Sequence, residues 1–260
     1  MTAAPAPPSV EPLQRDDGLW VFSRADFAQQ RFYYKPGEHV VFGGPTQRGK
    51  TTFAFDLLEV VATPELPAYV AVSKPKDPVT ERRGRELGFR RVADWPAPMK
   101  VNEMWDGKPP GYLIWPKFGS MDDDVERCAE VTRKLIQDRY TAGVKNKRGI
   151  LVMDDTMVKS KLMGLDREMT TILAMSGAMG IGQWTFVQKP TDSGRAAIWS
   201  YGASEHLFLL KDPDRRNQQR YDEIGGVDPQ FVRDATNNLK PFQFLYIKRT
   251  ESFACVVDSR

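Results

Sequence analysis

Val40 to Thr52 reads VVFGGPTQRGKTT, and this stretch decides the fold. The apolar run Val40-Val41-Phe42 breaks into Gly43-Gly44, and Gly49-Lys50-Thr51 comes next to complete G-x-x-x-x-G-K-[ST]. Directly after it, Ala54, Leu57, Leu58 and Val61 recur at i, i+3, i+4 and i+7, the spacing of an amphipathic helix. The motif therefore sits between a strand and a helix, where a phosphate-binding loop works and an accidental glycine-rich hairpin would not. Glycines without a Cβ let successive backbone N–H groups turn inward as an anion nest. The helix N-terminus adds partial positive charge. Gly44, Pro45, Thr46, Gln47, Arg48, Gly49, Lys50, Thr51 and Thr52 are thus the expected nucleotide cradle. Lys50 supplies a cation for the β- and γ-phosphates of ATP, and the Thr51 hydroxyl is placed to ligate Mg2+.

Outward from the loop, short apolar runs alternate with helical patterns. Arg24–Phe32, Thr51–Ala62, Asp77–Leu87, residues 122–140 and Asp166–Met179 read as helices. Ala68–Ser73, Tyr112–Trp115, Gly149–Asp155, Gln183–Gln188, Glu205–Leu210, Phe242–Lys248 and Phe253–Val257 read as strands. Ala196–Tyr201 and a charged stretch near Asp214–Glu223 read as further helices, and residues 89–111 as irregular. Strands alternating with helices predict an α/β domain with a mostly parallel, doubly wound sheet. One such domain is expected over 19–260, after a Pro/Ala-rich disordered tail over 1–18.

Composition excludes several classes. Hydrophobic residues make up 41% of the 260 and charged residues 27%, the balance of a globular domain. No apolar run approaches the ~20 residues of a membrane span. MTAAPAPPSVEP has no basic region followed by an apolar core, so it does not read as a signal peptide. Cys128 and Cys255 stand alone, which suits free thiols in a cytoplasmic protein, and with His39 and His206 they make no zinc-ligand spacing. Asp122-Asp123-Asp124 resembles a metal cluster but suits a helix N-terminus better. The net charge of +3 does not by itself imply nucleic acid, and each basic cluster (Arg82–Arg91, Lys145–Arg148, Arg215–Arg220) can be a solvated face.

Two further motifs carry chemistry. Ile150-Leu151-Val152-Met153 ends in Asp154-Asp155, a buried strand delivering two acids. Asp154 fits the magnesium-holding acid of phosphate-loop ATPases, and Asp155 the acid that polarises the attacking water. Gln188, at the end of the next strand, can donate to the γ-phosphate or to the lytic water. Ligands of open parallel sheets bind beyond the carboxyl ends of the strands, where Lys50, Asp154 and Gln188 are all expected.

The run ILVMDD, the helix ending SGAMGIG and the strand ending Gln188-Lys189-Pro190 together resemble the FtsK/HerA motor ATPases. Val72-Ser73-Lys74-Pro75-Lys76-Asp77 is similar to that family's second strand, and Ser193-Gly194-Arg195 through Asp212–Gly226 to its stretch after the sensor strand. The resemblance spans residues 36–226. It implies a RecA-like (ASCE) P-loop NTPase fold, with a mostly parallel central sheet flanked by helices. It departs at Asp155, usually Glu; at Gly177, often Arg; and at Lys189, in place of Arg. The family relation implies an ATPase that moves double-stranded DNA as a homo-oligomeric ring, hexameric or near it. It also implies an arginine offered to the neighbouring subunit's γ-phosphate, for which Arg195, Arg215 and Arg216 are candidates. The chain's size suits a minimal phage genome-packaging or mobile-element transfer motor, cytoplasmic or virion-associated, docking on a phage portal or another capsid or membrane partner. The loop Val158–Arg167 is a candidate DNA contact. An ATP-binding switch or assembly factor that moves nothing shares the same loop and remains the competing class. A small-molecule kinase lacks a recognisable acceptor motif here, and no N-K-x-D guanine motif appears.

Overall fold

The computed structural model describes residues 13–98, 107–189 and 194–258. Its elements run β1 (Leu13–Gln14), β2 (Trp20–Ser23), α1 (Arg24–Gln30), β3 (Val40–Gly43), α2 (Lys50–Val61), β4 (Ala68–Ala71), α3 (Pro78–Glu86) and β5 (Arg90–Val92). They continue with β6 (Gly111–Ile114), α4 (Met121–Val144), β7 (Gly149–Met153), α5 (Asp166–Met175), β8 (Ile181–Val187), α6 (Gly194–Ala203) and β9 (His206–Leu209). α7 (Arg215–Gln218), α8 (Pro229–Asn237), β10 (Gln243–Lys248) and β11 (Phe253–Asp258) complete the chain.

All of these strands join one sheet in the order β1-β2-β11-β10-β9-β3-β8-β7-β4-β6-β5. The run from β9 to β5 is parallel throughout, and β10 enters antiparallel to both neighbours. The central strands are apolar on both faces because helices cover both. Alternate residues sort accordingly. Val40 and Phe42 pack with α1 and α2, whereas Val41 packs with α6 and α8. Likewise Val152 faces the α2 side and Leu151 and Met153 face α4 and α5. On the α2 side, Phe42 stacks between Phe186 and Phe208, at 4.9 Å from each ring. Phe27 of α1 meets Tyr246 edge-on at 4.6 Å. This aromatic layer holds β3, the strand that feeds the phosphate loop, from one whole face.

Helix starts obey their capping chemistry. Ser23 accepts from the Asp26 N–H, Asp77 from Thr80 and Asp228 from Gln230, the last two with proline in the first turn. The mostly parallel α/β architecture read from the sequence is present. Four details differ. Residues 89–111, expected to be irregular, contain β5, which closes the far edge of the sheet. β2 and α8 add to the expected elements. The tail assigned to 1–18 is ordered from Leu13, which pairs with Val21; residues 1–12 lie outside the described residues. Asp166–Met179 ends as an α-helix at Met175 and continues as a 3-10 turn over Gly177–Met179.

Cys128 and Cys255 are free and buried. The acidic stretch does open α4, but the cap position is Ser120, whose side chain makes no capping hydrogen bond; Asp124 instead accepts from the Gly119 N–H, before the helix, at 2.7 Å. Among the described residues no His/Cys/Asp/Glu group could hold a metal by itself, and no helix is long and apolar enough to cross a membrane.

Candidate active site

The sheet order brings the predicted residues to one edge. β3 pairs with β8, and β8 with β7, so that Gly43 lies level with Val187 and Met153 with Thr185. The three strand exits therefore emerge side by side: the glycine loop after β3, Gln188 after β8, Asp154-Asp155 after β7. One strand, β8, lies between the loop strand β3 and the acid strand β7.

The loop reverses on two left-handed glycines, Gly44 at φ 126° and Gly49 at φ 86°, with Gln47 at φ 56° between them. A Cβ on Gly44 would lie 2.6 Å from Leu210 Cβ, so the end of β9 leaves no room for a side chain there. Gly49 starts α2 without a side-chain cap, which leaves the first N–H groups of the helix for an anion. Lys50 is buried, and its Nζ donates to the Gly44 and Pro45 carbonyls at 2.6 and 2.5 Å. Burial lowers its pKa to about 8, against the pull of Asp154.

Asp154 and Asp155 are both buried. Among the described residues Asp154 Oδ2 forms no geometrically sound hydrogen bond; it is ion-paired with Lys74 Nζ at 3.4 Å. Burial opposes charge on Lys74, but Asp154 and then Asp155 outweigh it and raise its pKa. Asp155 adopts φ 49°, and its Oδ2 accepts from Gln188 Nε2 at 3.3 Å. Beneath the pair lies Lys159, fully buried, whose Nζ donates to the Asp154 carbonyl and, at 3.0 Å, to Ser73 Oγ. Burial lowers the Lys159 pKa to about 8 despite Asp154 and Asp155.

Lys50, Lys74, Asp154, Asp155 and Gln188 face a cleft of about 500 Å³, with Lys159 behind it. Thr46, Gln47, Gly49, Lys50, Thr51 and Thr52 line it from the loop; Lys74 and Asp77 from the β4–α3 turn; Asp154, Asp155 and Gln188 from the opposite side. Gly44 and Pro45 reach it through their carbonyls on Lys50, while Arg48 faces solvent. Arg195, Arg215 and Arg216 are exposed and line no part of it. Pro190 and Ser193, which carry part of the family resemblance, lie outside the described residues. The sequence singles out neither Lys74 nor Lys159 for the cleft: Lys74 falls in the stretch similar to the resembled family's second strand, and Lys159 in the loop offered as a DNA contact. Val158–Arg167, expected as a surface loop, is also different. Val158–Leu162 is a π-helical turn with Lys159 inward, which leaves Lys161 and Arg167 exposed.

The donor set fits a triphosphate with its hard cation. The loop offers amides and an ammonium, Thr51 a hydroxyl, and Asp154 a buried carboxylate oxygen whose partner among the described residues is the half-exposed Lys74 ammonium.

No family model and no curated protein matches this sequence. Solved structures do. The genome packaging NTPase B204 from Sulfolobus turreted icosahedral virus 2, in complex with ATP-gammaS, superposes with a TM-score of 0.60 at 12% identity, over 87% of this chain and 100% of that one. VirB4 of Thermoanaerobacter pseudethanolicus gives 0.62 at 9% identity, over 99% and 98%. The chain shares their α/β fold. EssC from Geobacillus thermodenitrificans, in its ATPases 2 and 3, shares it at 0.54 and 13% identity, over 87% of this chain and 40% of that one. At such identities the likeness is one of fold.

Proposed function

We propose that this chain is an ATP-hydrolysing motor that moves double-stranded DNA, as in genome packaging or mobile-element transfer, and works as a homo-oligomeric ring. One observation carries the reading: Gln188 Nε2 bonds to Asp155 inside the cleft that the glycine loop opens. That bond couples a strand-end glutamine to the acid best placed to act on water, the arrangement of a γ-phosphate sensor. The packaging NTPase and VirB4, whose fold this chain shares, are consistent with it.

In this reading the loop amides and Lys50 bind the triphosphate. Thr51 and Asp154 hold Mg2+, which neutralises phosphate charge when bound. Asp155 accepts the proton of the attacking water, and Gln188 orients that water and reports the loss of the γ-phosphate. Arg195, Arg215 and Arg216 are exposed and outside their own cleft, as an arginine serving a neighbouring subunit's site must be. Hydrolysis then occurs at subunit interfaces. Exposed cations, Lys161 and Arg167 among them, contact DNA phosphates.

The test is steady-state ATP turnover with and without double-stranded DNA, at several salt concentrations, for the wild type and Lys50→Ala. Turnover stimulated by DNA and abolished by the substitution is expected. Turnover indifferent to DNA would reassign the chain to ATP-dependent switches or assembly factors, and turnover surviving Lys50→Ala would remove the site.

A further inference from the structure

Lys159 is the least expected side chain near the cleft. It lies in a stretch rich in polar residues, yet it has no exposed surface. The π-helical turn Val158–Leu162 explains how. Met163 N–H bonds to the Val158 carbonyl, five residues back, and the widened turn directs Lys159 under β7.

Lys159 holds both peptide units of the acid pair. Its ammonium takes the carbonyl of Asp154, and its own N–H takes the carbonyl of Asp155 at 3.2 Å. The same ammonium reaches Ser73 Oγ, just beyond β4 and next to Lys74, whose ammonium lies by the Asp154 carboxylate. Asp155 keeps a left-handed backbone, which a residue with a Cβ holds only where its surroundings impose it. Two adjacent buried carboxylates also repel each other, and a buried cation behind them offsets that repulsion.

We propose that Lys159 is a positioning residue for hydrolysis: its ammonium holds the backbone carbonyl of Asp154 and ties it to Ser73, and so aims the two carboxylates into the cleft. The proposal rests on the reading of the cleft as an ATP-hydrolysing site. It separates two tasks. The glycine loop and Lys50 bind the nucleotide without Lys159; the acids act on it only when Lys159 holds them. Loss of Lys159 therefore lowers turnover and spares binding.

The experiment compares the wild type, Lys50→Ala, Lys159→Met and Ser73→Ala as full chains. Calorimetry gives affinity and stoichiometry for a non-hydrolysable ATP analogue, and steady-state rates give kcat, KM and the Mg2+ dependence. Lys159→Met is expected to keep stoichiometry and affinity near wild type. Its kcat falls by about 10- to 100-fold, the usual loss when a partner behind a metal ligand is removed, and its half-maximal Mg2+ concentration rises. Ser73→Ala leaves Lys159 one fewer anchor and lowers kcat by less. A merely structural role would instead reduce stoichiometry or raise KM. Unchanged kcat in Lys159→Met, or a loss carried by KM alone, overturns the proposal. If Lys159→Met gives no cooperative melt, Ser73→Ala decides, and an unchanged kcat there overturns it. A wild type that turns over no ATP sinks the functional reading and this proposal together; an active wild type, with Lys50→Ala inactive and Lys159→Met unaffected, sinks this one alone.

Discussion

Asp155 carries two burdens that different substitutions separate. Its backbone is left-handed at φ 49°, and its carboxylate meets Gln188 at 3.3 Å and the Val158 N–H at 3.5 Å. Asparagine visits the left-handed region more readily than other residues with a Cβ, and its amide oxygen can still accept one of those contacts. Asp155→Asn should therefore fold with a melting temperature near wild type while losing the group that takes the proton, a loss of ~10²–10⁴-fold in kcat. Asp155→Ala removes the same carboxylate but must hold an unfavourable backbone with no side-chain acceptor. Its additional cost of about 1–2 kcal/mol lowers the midpoint by roughly 2–8 °C for a domain of this size. Asp155→Glu restores the acid usual in the resembled family, yet sets a longer side chain on the same backbone, so reach is gained against strain. Differential scanning fluorimetry and steady-state ATPase rates on the three variants read the two effects apart. An Asp155→Asn chain that hydrolyses ATP at the wild-type rate would refute the assignment of the base. Equal melting of the Asn and Ala variants would refute the argument from the backbone.

The geometry yields three other expected outcomes. Gly44→Ala places a Cβ 2.6 Å from Leu210 Cβ at a φ of 126°, and should destabilise the fold by about 1–3 kcal/mol and weaken nucleotide binding, by chemical denaturation and calorimetry. The free-state Lys50 pKa of about 8 means that the loop loses its cation as pH rises through 8, whereas bound phosphate favours the charged form. Analogue affinity should then fall by about tenfold between pH 7 and 9 in the wild type and stay flat in Lys50→Met. For DNA, the logarithm of the binding constant should fall linearly with the logarithm of salt concentration, and Lys161→Ala with Arg167→Ala should reduce that slope by about 1–2, measured by anisotropy.

The candidate site is legible in the sequence because its parts are local. Gly44–Thr51 and Asp154-Asp155 each announce themselves within a few residues, and the chain-order alternation of strands and helices is enough for a parallel sheet. The sheet order is not legible in hydropathy or local spacing. Alternating strands and helices do not by themselves say that β8 lies between β3 and β7, the insertion that sets Gln188 beside Asp155. α8 carries a readable signal in Asp228-Pro229, an N-cap followed by proline, with Val232 and Ala235 buried at helical spacing. β5 and β2 are short edge or near-edge strands whose residues are only partly apolar, so periodicity has little to detect. Lys159 shows the limit most plainly. Hydropathy places a lysine in a polar run on the surface, and only the π-turn and the two acids it serves keep this one inside.

The same stretch connects the acids to the exposed arginines. Lys159 takes the carbonyls of Asp154 and Asp155, and Leu165 N–H bonds to the Lys159 carbonyl at 3.0 Å. Asp166, the next residue, opens α5 and accepts the first N–H groups of α6, from Arg195 at 3.2 Å and Ala196 at 3.0 Å. Ser160 and Asp166 also crowd Gly194, where a Cβ would lie 3.0 and 2.5 Å from their oxygens. Arg195 therefore leaves α6 from a point fixed to the turn that holds the acid pair. Arg215 and Arg216 belong to a separate segment after β9, anchored by Asn217 and Gln218 on Asp212. If an arginine serves the neighbouring cleft, Arg195 is the one whose position would move with a shift of Asp154 and Asp155. Arg215 and Arg216 would move with β9 and Leu210, which pack against Gly44 of the phosphate loop. Single substitutions of the three arginines, read by the DNA-stimulated and the basal rate separately, distinguish those two routes.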